Sequence, residues 1–343
     1  MPSAGKAQQP LAVALNLEWG DLTPEQAALD PLGVKLIRVD ELQEAGRRRV
    51  VALLSEGASV TAKELRLYPR LRVVSEFGTG YDGIDLEAAR QLGIAVTNVA
   101  GYCTEEVADH TLALGLSLVR RLEPLVRQGR SGEWMAIDSG PVRRCAEMRW
   151  GIIGFGRIGR AVARRAGSFG FAIDAFDPQL PEREVSRHGA QPIDLDGLLM
   201  RADVVSVHAN RTGQDDRMLD RRRLSLLKPT AYLINVARGA FVDEDALADA
   251  LDAAKLAGAA VDVLAQEPPE PSNRLLRHPR TLVTPHVAWY SDRAESELRA
   301  RGIRAVVDIL GGRAPADLVP ELRVPDAERP DGPPKGEVNG PSG

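Results

Sequence analysis

Arg238, Glu267 and His286 each follow a run of strand-forming residues, and together they could carry one chemistry. Tyr232 to Ala237 runs straight into Arg238 and Gly239, Gly258 to Val263 leads through Leu264 to Glu267 and Pro268, and Leu282 to Pro285 delivers His286. A guanidinium grips a carboxylate through two parallel hydrogen bonds and polarises an adjacent 2-oxo group. A histidine then gives or takes the proton of the alcohol, and a nearby glutamate raises its pKa so that the protonated form is populated near neutral pH. Singly, each residue has a plainer reading: Arg238 is one of 38 arginines, Glu267 could be a solvated loop acid and His286 a core histidine. Their convergence favours the chemistry, because open parallel sheets bind ligands beyond the carboxyl ends of their strands. No Cys/His cluster or close set of carboxylates suggests a metal, and no G-x-S-x-G suggests a serine hydrolase.

A second constellation is Gly154-Phe155-Gly156-Arg157-Ile158-Gly159. The string alone is weak in a chain with 32 glycines. Its setting strengthens it: an apolar strand from Trp150 to Ile153 precedes it, and Ile158, Val162 and Ala166 stripe the helix that follows. Gly154 permits a tight turn, Gly156 lets backbone amides approach a pyrophosphate, and Gly159 allows close helix-to-strand packing. Asp177, eighteen residues after Gly159, can accept hydrogen bonds from an adenosine ribose and would repel a 2′-phosphate, so the expected cofactor is NAD rather than NADP.

These residues need a frame, and the pattern of short Val/Ile/Leu runs alternating with helical segments predicts an α/β protein with parallel sheets. Five strands are expected at Leu11 to Leu17, Val34 to Val39, Val50 to Leu54, Leu71 to Ser75 and Ile94 to Thr97. Six more are expected at Trp150 to Ile153, Phe171 to Phe176, Asp203 to His208, Ala231 to Ala237, Ala257 to Leu264 and Thr281 to Thr284. A helix from Glu105 to Leu122, capped by Thr104, joins the blocks, and a second, capped by Ser291 and stopped by Gly311-Gly312, returns the chain to the first. The expected organisation is two doubly wound domains. Residues 1–118 and 291–314 form a discontinuous flavodoxin-like substrate domain, 119–290 a Rossmann NAD-binding domain, and 315–343, with seven prolines, a flexible tail.

Composition fits this frame. Hydrophobic residues make up 44% and charged residues 27% of the 343, and no apolar run approaches the ~18 residues of a membrane-spanning helix. A net charge of −4 argues against direct nucleic-acid binding. Only Cys103 and Cys145 are present and the first residues lack a secretory apolar stretch, so the cytoplasm is the expected compartment.

The glycine loop, Asn235-Val236-Ala237-Arg238-Gly239, Asp262-Val263 before Glu267-Pro268, and Pro285-His286 make the sequence resemble the D-isomer-specific 2-hydroxyacid dehydrogenases from about residue 11 to about residue 312. Within them, Val287-Ala288-Trp289-Tyr290-Ser291 resembles the branch containing the C-terminal-binding proteins. The resemblance implies an NAD-dependent enzyme acting on a 2-oxo or 2-hydroxy acid. Arg238 would bind the substrate carboxylate, His286 act as acid/base and Glu267 tune it. It further implies that Asp262 holds the nicotinamide carboxamide, and that Val236 and the loop from Ala209 to Asp215 contact the cofactor. Phe77-Gly78-Thr79-Gly80-Tyr81-Asp82-Gly83-Ile84-Asp85 resembles the family's substrate loop, its Gly78 to Gly80 amides meeting the carboxylate and Thr79 reaching the cofactor. Trp289 would wall the substrate side chain. Glu76 stands where many relatives carry an arginine, which implies a monocarboxylate without a second anionic group. The resemblance also implies a homodimer, with an arm in Glu123 to Met148 carrying Trp134 and Met135. The alternative reading is an NAD(H)-sensing scaffold with little turnover.

Overall fold

The computed structural model describes residues 8–17, 19–134, 142–210 and 217–322. Two compact units divide the chain: residues 1–100 with 298–343, and residues 101–297. The first boundary therefore lies eighteen residues before the expected one, because the helix Thr104–Val119 belongs to the second unit. A Cβ on its Gly115 would lie 2.3 Å from the Trp150 ring, so the helix seats directly on that unit's sheet.

In the first unit, β1 (Leu11–Leu15), β2 (Lys35–Arg38), β3 (Val50–Ser55), β4 (Val73–Glu76) and β5 (Ala95–Asn98) form a parallel sheet in the order β2-β1-β3-β4-β5. The central β3 and β4 are buried along their whole length, polar ends Ser55, Ser75 and Glu76 included, while β2 at the edge is half-exposed. Of the flexible tail expected after residue 314, residues 315–322 are described and dock on the sheet, and the rest lies outside the described residues. Leu318 makes an antiparallel bridge to Thr97, Val319 N–H donates to Val96 O at 3.0 Å, and Val319 is fully buried. Two apolar residues beside a free strand edge suffice to dock this segment, though they are too few to show as a periodic pattern.

In the second unit, β6 (Arg149–Ile153), β7 (Ala172–Phe176), β8 (Gln191–Pro192), β9 (Val204–Val207), β10 (Tyr232–Asn235), β11 (Gly258–Val261) and β12 (Thr281–Val283) are all parallel, ordered β12-β11-β10-β9-β6-β7-β8. The order reverses between β6 and β9, which opens a crevice at their carboxyl ends. β8 was not foreseen, since two residues ending in proline make no strand-like run. Thr104 is the first residue of its helix rather than the cap, and its hydroxyl donates to Gly101 O at 3.1 Å. Ser291 does cap, its Oγ accepting from Ala294 N–H at 3.0 Å ahead of the helix Asp292–Leu310. Of the expected dimer arm, Trp134 is 89% exposed and Met135 falls outside the described residues. No helix among the described residues is long and apolar enough to cross a membrane.

Candidate active site

The glycine loop turns from β6 into the helix Arg157–Ser168. Gly154 has φ +86°, and a Cβ there would lie 2.5 Å from Ala209 N, so only glycine lets the loop pass so close to the end of β9. The amide of Phe155 donates to Asp177 Oδ2 at 2.8 Å and its ring is fully buried, which makes Phe155 a brace for Asp177 rather than an open contact. Gln179 N–H donates to Asp177 Oδ1 at 2.9 Å. The carboxylate is thus fixed at the end of β7, and each oxygen keeps a lone pair for a ribose hydroxyl. Space beside Gly156 is open, and the exposed Arg157 with Ile158 begins a helix whose first amides and dipole favour an anion. The loop therefore fits a dinucleotide. Asp215 lies outside the described residues, while Ala209 and the buried Val236 flank the carboxyl ends of β9 and β10.

Across β10 to β12 the three expected side chains come together. His286 Nδ1 lies 2.6 Å from Glu267 Oε2, and Leu264 N–H donates to Glu267 Oε1 at 2.8 Å. Burial alone would raise the Glu267 carboxyl, but these hydrogen bonds, with the charges of His286 and Arg238, hold it below the ordinary carboxylate range. The Glu267 hydrogen bond raises His286 above the ordinary histidine value, against burial and the Arg238 charge. With Nδ1–H given to Glu267, Nε2 is the working nitrogen. Arg238 is held by its Nη1 donating to Ala237 O at 2.8 Å, and Asn235 Nδ2 donates to Arg238 O at 2.9 Å. A Cβ on Gly239 would fall 2.0 Å from the Leu264 carbonyl carbon, so glycine lets the Arg238 turn press against the strand end that carries Glu267.

Asp262 does more than the resemblance implies. Its buried carboxylate accepts from Val287 N–H at 3.0 Å, Ala288 N–H at 2.9 Å and Thr284 Oγ at 2.5 Å, and its carbonyl accepts from His286 N–H at 2.8 Å. His286 sits at φ +52°, a conformation that side-chain-bearing residues rarely hold without such support. Since the Thr284 proton goes to Asp262, His110 Nε2 donates to Thr284 Oγ at 3.1 Å and completes the clamp. No sequence motif announces His110 or His208. Trp150 Nε1–H donates to Ser206 Oγ at 2.8 Å, which leaves the Ser206 hydroxyl to donate to His208 Nε2 at 2.9 Å and the His208 proton on Nδ1. That Nδ1 is shielded and has no hydrogen-bond partner among the described residues, and burial pushes His208 down to about 3, so it is neutral. Trp289 is half-buried, its ring 6.1 Å from Tyr102 and 5.6 Å from Tyr290.

In the first unit, the loop after β4 is tied down from β5. Asn98 Nδ2 donates to Thr79 O at 2.7 Å and Val99 N–H to Gly78 O at 2.9 Å. Glu76 is 3% exposed; its Oε1 accepts from Gly57 N–H at 2.7 Å and would lie 3.3 Å from a Cβ on Gly78. The carboxylate underlies the loop that carries Gly78, Thr79 and Gly80.

Fold and site together define a nicotinamide-dependent dehydrogenase built on two parallel α/β sheets. Residues 112–288 match the model of the D-isomer specific 2-hydroxyacid dehydrogenase NAD-binding domain. The chain is 34% identical to a glyoxylate reductase of Korarchaeum cryptofilum over 273 residues, 79% of this chain and 82% of that protein. It is also 34% identical to a glyoxylate reductase of Thermococcus litoralis over 296 residues, 84% and 87% of the two chains. Its structure resembles that of a D-lactate dehydrogenase from Aquifex aeolicus, solved with NAD and lactic acid, with a TM-score of 0.83 at 28% identity over 90% of this chain and 98% of that one. The chain belongs to the D-isomer-specific 2-hydroxyacid dehydrogenase family. It is an NAD-dependent oxidoreductase that exchanges a hydride with 2-hydroxy and 2-oxo acids, and these likenesses to enzymes do not favour the scaffold reading.

Proposed function

We propose that this enzyme reduces a monocarboxylate 2-oxo acid lacking a second anionic group to its D-2-hydroxy acid. The observation that carries the reading is the 2.6 Å hydrogen bond between His286 and Glu267, with the charge of Arg238 acting on both. In the second unit Arg238 binds the substrate carboxylate and polarises the adjacent carbonyl; in the first, the Gly78 to Gly80 amides are carboxylate-binding by the family resemblance. NADH, held by the glycine loop and Asp177, supplies the hydride when bound, while the chain supplies orientation and a proton. His286 Nε2–H is that proton's source: it protonates the oxygen as negative charge develops there, and Glu267 stabilises the imidazolium beforehand. Asp262 holds the His286 turn in place. Trp289, half-buried and tilted against Tyr102, gives an apolar wall to the substrate side chain, and Val287 to Ser291 supports a place near the C-terminal-binding branch.

The dyad is tested by the pH profile of reduction. His286 must be protonated, so kcat/KM for the 2-oxo acid falls as pH rises through its pKa, which Glu267 holds above the ordinary value of about 6.5. Replacing Glu267 with Gln keeps an acceptor for Leu264 N–H and removes the charge, so this alkaline limb should move to lower pH. An unmoved limb would show that Glu267 does not tune the acid.

A further inference from the structure

The segment after the return helix reaches beyond the sheet edge it covers. From Asp317 to Glu321 it touches β5 and the loop Phe77 to Asp85. Asp317 is anchored twice, by its carbonyl accepting from Asn98 N–H at 3.1 Å and by an ion pair with Arg301 at 2.6 Å. Arg301 also donates to Ala100 O at 3.1 Å, so helix, strand end and segment share one knot. Two residues past the buried Val319, the Glu321 carboxylate accepts the Tyr81 hydroxyl, at 3.0 Å to Oε1 and 3.1 Å to Oε2. Burial and the Glu321 bond push Tyr81 up to about 12, so the phenol remains a donor at every working pH. Tyr81 follows Gly80 directly. β5 thus holds the loop at Gly78 and Thr79, and the segment holds it at Tyr81.

We infer that residues 317–322 are a strap that fixes the substrate loop, and that Glu321 is a positioning residue setting affinity for the 2-oxo acid through its bond to Tyr81. The inference rests on the reading of Gly78 to Gly80 as carboxylate-binding. A loop of small residues has little packing of its own. Its amides can present a fixed geometry only if both ends are held, and a bond made before substrate arrives lowers the ordering cost of binding. The strap belongs to the first unit and the glycine loop to the second, so its effect should fall first on the substrate, with Thr79 its one expected route to the cofactor.

The test uses the full chain with Tyr81→Phe, Glu321→Ala, the double variant and Glu321→Gln, since truncation would expose the pocket of Val319 and disturb folding. Three quantities are read: amide hydrogen exchange of residues 77–85, KM and kcat for a 2-oxo acid, and the Kd of NADH. Tyr81→Phe and Glu321→Ala should each speed exchange in the loop and raise KM about three- to tenfold, the range of one lost hydrogen bond. kcat should hold, the Kd of NADH should change less than KM, the double variant should add nothing, and Glu321→Gln should recover part of the loss. Unchanged exchange, or additive single effects, would overturn the strap. Thr79→Pro, which deletes one of the three N–H groups, separates the two readings. If it raises KM while the strap variants do not, the strap inference alone fails. If neither moves KM, the carboxylate-binding loop fails and takes the inference with it.

Discussion

In the proposed function, Glu76 is the residue whose charge bears most on substrate choice. It is buried and bonded to Gly57 N–H, so its first role is to brace the turn after β3 beneath Gly78. On the proposed reading its charge also acts on what the loop binds. A second anion ~8 Å away, at an effective dielectric constant of ~20, would be repelled by ~2 kcal/mol, about thirtyfold in selectivity. Glu76→Gln preserves the acceptor for Gly57 and removes the charge, so the ratio of kcat/KM for a dianionic 2-oxo acid over a neutral-side-chain one should rise about tenfold or more. An unchanged ratio would confine Glu76 to bracing. The residue types were legible in the sequence, because an arginine, a carboxylate and a histidine after three apolar runs have few reasons to recur by chance. What Asp262 bonds to was not legible. Its amide partners Val287 and Ala288 depend on the left-handed turn at His286, which no local pattern encodes.

At the scale of elements, the site depends on how closely strand ends and their turns approach one another. Gly239 is the tightest such point, with no room for a methyl group against the backbone of Leu264. Gly239→Ala must push the Arg238 turn away from the strand end leading to Glu267, and overpacking of this kind costs about 1–3 kcal/mol. The expected outcome is a lower urea midpoint together with a lower kcat/KM. Wild-type stability and turnover would mean that the turn yields without moving Arg238. The strands were legible because buried parallel strands read as apolar runs. β8 was not, being two residues long, nor was the docked segment at Leu318 and Val319, whose position depends on an edge that exists only once the sheet has formed. Thr104 misled as a cap because Cys103 takes that place.

For the molecule as a whole, two parallel sheets carry different work. The seven-stranded sheet gathers the glycine loop, Asp177, Arg238, Glu267 and His286 at its carboxyl ends, and the five-stranded sheet carries the loop over Glu76 and the segment that braces it. The net charge of −4 excluded nucleic acid as an expected partner, yet it says little about local preference, which the proposed function assigns to Arg238 in one unit and Glu76 in the other. In the proposed function, His286 is the proton donor for 2-oxo acid reduction at an NADH site that forms independently of it. The most direct measurement follows NADH oxidation with a panel of neutral-side-chain 2-oxo acids, for the wild-type chain and for His286→Ala, alongside NADH affinity by fluorescence. The expected results are turnover of at least one acid by the wild type, a fall of about 100-fold or more in kcat for His286→Ala, and an unchanged NADH Kd. NADH binding with no oxidation by any acid, or turnover retained without His286, would contradict it.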